Sequence, residues 1–148
     1  MNWIFALALL VLMPHLAPVQ AQIAAVSAEP LRYDINKEVT LNATVSAVLT
    51  KPAPGMIAGS HLLLATLSGP VDASLGFFGL RGKGALSVAA GRQIEVTGVM
   101  KTIRDKQVLV TRTVKVGDQV FMIRTEHGIQ ISPMTRQRLA QKADGGTL

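Results

Sequence analysis

The chain has 148 residues, fifteen Lys and Arg against nine Asp and Glu, a formal net charge of +6 and only 4% aromatic residues. That length fits one domain with a core of Val, Leu, Ile and Ala, and nothing argues for a second. The absence of cysteine excludes disulfide staples and a lipid-modified N-terminal cysteine, so the core alone must hold the fold.

Residues 1–21 read as a signal peptide. The apolar run from Met1 to Met13 is too short to cross a bilayer as a stable helix, Pro14 ends it, and Val19-Gln20-Ala21 sets small residues at the third and first positions before a cut. No Lys or Arg stands near its start, a departure from the usual basic leader. The mature chain is expected to begin at Gln22 and to be exported to the periplasm or beyond, touching a membrane only through the leader. All fifteen cations lie after Ala21. The mature surface therefore favours anionic partners: nucleic acid, lipid headgroups, acidic glycans or cell-wall polymers.

Residues 22–36 have mixed polarity and read as an extended arm, with Tyr33 packing on the domain wall. From Lys37 to Leu49 the chain alternates, Val39, Leu41, Ala43, Val45 and Ala47 on one side and Thr40, Asn42, Thr44 and Ser46 on the other, which is a long half-buried strand. Thr50–Ser60 holds two prolines and two glycines and reads as a loop. His61–Leu67 is a short second strand, turned by Ser68-Gly69-Pro70 into a third, Val71–Leu75, with Asp72 and Ser74 facing out. The glycine-rich stretch Gly76–Gly84 leads into Ala85–Ala90, which can form about two turns of helix capped by Gly91 and plugging a barrel end with Leu86 and Ala89. Phe77 and Phe78 would pack beneath that helix. Gln93–Lys101 is the fourth strand, with Gly98 where a corner needs a residue without a Cβ.

In the fifth strand, Gln107–Val116, Val108, Val110, Val114 and Val116 share a parity with Arg112. An arginine cannot sit among core valines, so the strand must emerge or bulge there. Gly117-Asp118 turns into a last short strand, Gln119–Arg124, and Ser132-Pro133 carries the chemistry of a helix start before Met134–Lys142. The expected layout is a leader (1–21), an arm (22–36), a barrel (37–131) and a short helix with a disordered tail (132–148).

The order of three strands, a short helix and two strands, over about 40–116, resembles the OB-fold, a five-stranded Greek-key barrel. It is similar to the secreted bacterial OB-fold proteins of the periplasm, in which a signal peptide precedes one bare barrel and a segment like Gln93-Ile94-Glu95-Val96-Thr97-Gly98 forms strand four. The chain departs from them in its longer first loop, in the hairpin and tail after 117 and in its basic balance. An SH3-like barrel or a small β-sandwich is the rival fold.

The resemblance implies a ligand face on strands two and three, edged by the loops joining strands one to two and four to five. Those loops offer Lys51, His61, Lys101, Arg104 and Lys106. No aromatic platform for base stacking stands on strands two and three, which disfavours nucleic acid. No enzyme constellation is expected: Gly82-Lys83-Gly84 fails the phosphate-loop pattern, with Phe77 and Gly84 where it needs Gly and Ser or Thr. His61, His127, Glu126 and Asp118 lack paired ligand spacing, so no metal or cofactor is expected. Glu126-His127-Gly128 reads as a turn. Two functions of different class remain. One is a binding module for an anionic or oligomeric ligand such as a glycan, peptide or cell-wall fragment. The other is an assembly protein that pairs through exposed strand edges with another chain or a second copy.

Overall fold

The computed structural model describes residues 32–145. The expected signal peptide, most of the arm and residues 146–148 lie outside them. A 3-10 turn over Ile35–Lys37 leads into β1 (Glu38–Leu49), β2 (Ser60–Thr66), β3 (Gly69–Gly76), β4 (Gln93–Ile103), β5 (Lys106–Val116), β6 (Gln119–Met122) and the helix α1 (Pro133–Asp144).

The sheet runs β3-β2-β1-β4-β5 and closes on itself through a parallel β3–β5 pairing, Asp72 to Val108, Ala73 to Leu109 and Ser74 to Val110. This is a closed five-stranded barrel in the OB-like Greek-key order, with β6 bonded outside on β5. Closure removes the open edges that β3 and β5 would otherwise present. β1 serves two neighbours, β4 over Glu38–Thr44 and β2 over Thr44–Leu49, which is why this strand is the longest.

The core is aliphatic, as the composition requires: Val45, Leu62, Leu64, Ala73, Leu75, Val96, Leu109 and Val114 are essentially sealed from solvent. Two bulges set which residues reach it. At Ser46 the β1–β2 register slips between Val45 and Ala47, so the alternation inverts and Val48, not Ala47, packs on the core. Val39 is exposed as well. In β5, Thr97 pairs with Thr113 while Gly98 pairs with Thr111, leaving Arg112 as the extra residue. An extra residue reverses the faces downstream of it. Leu109 before it and Val114 after it can both point inward, while Arg112 turns out to pair with Glu38: its Nη2 donates to Oε2 at 2.8 Å and its Nε to Oε1.

No helix lies between β3 and β4. Residues 85–89 carry no regular secondary structure, because their backbone groups and those of the flanking turn are committed elsewhere: Leu86 N–H donates to Gly79 O at 2.9 Å, Gly91 N–H to Val45 O at 2.7 Å, and Arg92 O accepts from Val45 N–H at 2.9 Å. A helical turn would forfeit these bonds. The plug survives in altered form, with Leu86 buried and Val88 packed against the core, while Ala89 is exposed. With no helix above them, Phe77 and Phe78 are not covered either.

Ser132 Oγ accepts from Thr135 N–H at 3.2 Å and Pro133 opens α1, as the sequence indicates. The helix runs to Asp144, beyond the expected Lys142, and buries none of its residues.

At Gly98 the β5 backbone passes close against β4. A Cβ there would overlap the Val110 carbonyl oxygen and stand 2.9 Å from the Thr111 Cα. Backbone cannot retreat as a side chain can. Gly98→Ala is expected to lower the unfolding free energy by about 1–3 kcal/mol, read as a drop in the urea midpoint at unchanged slope.

Candidate functional site

The β4–β5 hairpin closes in two residues, Arg104 (φ 50°) and Asp105 (φ 62°), both left-handed as a primed turn requires. It presents Arg104, Asp105 and Lys106 to solvent. The loop between β1 and β2 comes to meet it: the Lys106 ammonium lies 3.8 Å from where a Cβ on Gly55 would stand. Lys51 is exposed in that same loop. The two basic loops therefore approach each other, and Lys51, Arg104 and Lys106 keep exposed side chains. Lys101 is already engaged, its Nζ donating to Arg32 O at 3.0 Å.

His61 is placed differently from the sequence expectation. It is 0% exposed and has no surface to offer a ligand. Its Nδ1 lies 2.6 Å from Asp72 Oδ1 and its Nε2 2.9 Å from Ile57 O. A neutral imidazole has one N–H, and two acceptors call for two, so the imidazolium satisfies this site. Burial alone pushes the imidazolium pKa down. The hydrogen bonds to Asp72 and the Ile57 carbonyl, with the Asp72 charge, outweigh both burial and the opposing Arg124 charge, and the net direction is up. His61 thus pins the β1–β2 loop against β3.

That latch borders a second buried layer outside the core. His61 pairs with Ser74, Ser74 with Val110 and Val110 with Val99, a row crossing β2, β3, β5 and β4. All four are buried, yet Val99 and Val110 do not belong to the central cluster. The loop carrying Ile57 covers one end of the row. The other end is bordered by Glu38, the β1 partner of Val99, whose carboxylate also accepts from the Tyr33 hydroxyl. Arg112 holds the Glu38 carboxyl below its ordinary value despite burial, and burial with the Glu38 charge raises the Tyr33 phenol. The chain thus covers the His61–Ser74 end of the outer β2–β3 face, while Ala65 and Pro70 farther along it are exposed.

Sequence reasoning missed Arg124. Its guanidinium is buried just past the point where the β3–β5 pairing ends, and Nη1 donates to Ser74 O at 2.9 Å and Thr111 O at 2.7 Å. It bridges the seam that hydrogen-bonded strands no longer close. Burial lowers its pKa to about 10. One Arg at the end of a short strand carries no pattern that announces such a role.

Two other features complete the surface. An open cleft of about 620 Å³ lies where β1 passes from β4 to β2, lined by Asn42, Thr44, Thr66, Gln93, Glu95 and Lys115. None of the expected site residues lines it. Glu126 and His127 form an exposed turn closed by Gly128 N–H donating to Thr125 O. Among the described residues no cluster of three or more His, Asp or Glu could hold a metal ion, and no helix is long and apolar enough to cross a membrane.

Because the folded pKa of His61 stands above its unfolded value of about 6.5, the latch contributes fully below that pH and is lost as pH rises through the folded value. Urea unfolding from about pH 5.5 to about pH 9 should show stability falling along that window, and Asp72→Asn should flatten the slope. Removing that carboxylate leaves His61 short of its buried partner, at a cost of about 3 kcal/mol at the acidic end. Compared with known proteins, the chain matches no family model, no curated protein and no solved structure.

Proposed function

We propose that this protein is an exported, non-enzymatic binding module related to the secreted bacterial OB-fold barrels, which holds an anionic oligomer such as an acidic glycan or cell-wall fragment. The ligand runs along the rim where the β1–β2 loop meets the β4–β5 turn. The observation that carries this reading is the approach of Lys106 to Gly55, which brings the two basic loops together. Lys51, Arg104 and Lys106 supply the charge, with Lys101 behind them, and Asp105 is the acid of that turn. Over the described residues the balance is strongly positive, since every Lys and Arg falls within them and Glu29 is the one acid outside. His61 acts in this scheme by fixing the loop and makes no ligand contact.

A second reading, assembly through a strand edge, draws on β6. This four-residue strand lies at the outer end of the sheet order, and Val120 and Met122 are exposed on it. An apolar edge of this kind can pair with another chain.

Amide shifts of the chain from Gln22, titrated with a sulfated oligosaccharide, should move at 50–59 and 101–106. The response should fade as salt shortens the screening length to about 8–10 Å. Arg104→Glu with Lys106→Glu should weaken binding about tenfold or more, about 1.4 kcal/mol. Unmoved shifts, together with sedimentation that rises with protein concentration and collapses in Val120→Lys, would replace this reading with the assembly one.

A further inference from the structure

The loop Phe77–Gly84 leaves β3 at the barrel end away from the β4–β5 turn, because β3 runs parallel to β5 and β5 begins at that turn. Phe77 is 52% exposed and Phe78 38%. Both rings are held at the surface by backbone that has been secured: Phe77 N–H donates to Gln130 Oε1 at 2.7 Å, and Phe78 O accepts from Arg136 Nη2 at 2.8 Å. The same Nη2 bonds Arg81 O at 2.7 Å, and Pro133 sits on Gly82, where a Cβ would stand 2.6 Å from its Cγ. Loop and α1 therefore form one surface.

Its chemistry is of two kinds. Arg81, Lys83, Arg136, Arg138 and Lys142 stand against Asp144 alone. Beside them Phe77, Phe78, Met134 and Leu139 expose apolar area. Two neighbouring aromatic rings left in water forgo the gain of burial, roughly 25 cal/mol for each Å². Exposed apolar groups ringed by cations match the boundary of an anionic bilayer, where aromatic rings settle at headgroup depth and Lys and Arg meet lipid phosphates. Single-stranded nucleic acid would instead ask for rings spaced along a positive groove. Adjacent rings on one loop tip, with Arg81 and Lys83 in the same loop, fit a lipid surface better.

We propose that this end of the barrel docks on the surface of a membrane rich in anionic lipids, with Phe77 and Phe78 entering the interfacial layer and Arg81 and Lys83 pairing with headgroup phosphates. The contact is peripheral. It adjoins the β1–β2 loop, whose Gly59 packs on Gly76, and stands away from the β4–β5 turn that carries Arg104.

The test places a single indole at the tip of the full chain, Trp3→Phe with Phe77→Trp, and follows its emission with vesicles of phosphatidylglycerol and phosphatidylcholine. The expected result is a blue shift and quenching by brominated acyl chains on the anionic vesicles, both lost in Arg81→Glu/Lys83→Glu. The leader's apolar run is common to every variant, and a local indole reports the tip whether or not that run binds. Val120→Trp in the same Trp3→Phe background should stay unshifted. Three results overturn the proposal: no shift on anionic vesicles, an equal shift on pure phosphatidylcholine or at position 120, or a shift on oligothymidine in place of lipid. None of them bears on the oligosaccharide titration at 101–106, so the two readings fail separately.

Discussion

The barrel depends on one surplus residue in β5. Between Thr111 and Thr113 the strand carries Arg112, which has no opposite number on β4. The bulge lets the strand offer Leu109 to the core, turn a charged residue out to Glu38, and return Val114 to the core within six residues. It also bends β5 so that its first half can meet β3 in parallel while its second half carries β6. Gly98 sits opposite and admits the β5 backbone, which no larger residue could do. Without that inversion, either Arg112 or Val114 would be on the wrong side of the wall.

Closing a barrel by a short parallel pairing leaves its seam thin. Three residue pairs join β3 to β5, and beyond them Arg124 takes over with two hydrogen bonds to carbonyls of the two strands. A buried guanidinium without a carboxylate among the described residues is costly, and its depressed pKa records that cost. The His61–Asp72 pair and Arg124 lie close enough for their charges to act on one another. At this end of β2, β3 and β5 the buried His61, Ser74 and Arg124 therefore staple loop, strand and C-terminal extension together.

Two surfaces stand out on the molecule: the basic rim of Lys51, Arg104 and Lys106, and the aromatic and basic surface of Phe77–Gly84 with α1, which adjoins the β1–β2 loop where Gly59 packs on Gly76. In the proposed scheme the first meets a soluble anionic oligomer and the second a lipid surface. The loops are tied back by side chains: His61 of β2 holds Ile57, Gln130 holds Phe77, and Arg136 of α1 holds Phe78 and Arg81.

The strands were legible because each writes its own local pattern. Alternation in β1, the Gly98 corner and the Ser132-Pro133 cap are properties of neighbouring residues, and even the bulge announces itself through an arginine among valines; the turn expected at Ser68-Gly69-Pro70 falls instead at Leu67-Ser68, with Gly69 and Pro70 paired in β3. The helix expected over 85–90 fails because propensity counts only intrachain turns, and here the carbonyls of Gly79 and Val45 claimed the backbone donors of Leu86 and Gly91. His61 was legible as a polar residue at a loop end but not as a latch, since its partners Asp72 and Ile57 are brought to it by register and by loop path. Arg124 was invisible for the same reason. The sequence by itself determined the strands, their order and the positive surface, because periodicity, turn chemistry and net charge are local or additive quantities. Only the tertiary structure decided which polar groups are sealed inside and which aromatic rings are left outside, because that depends on which distant segments compete for the same face of the barrel.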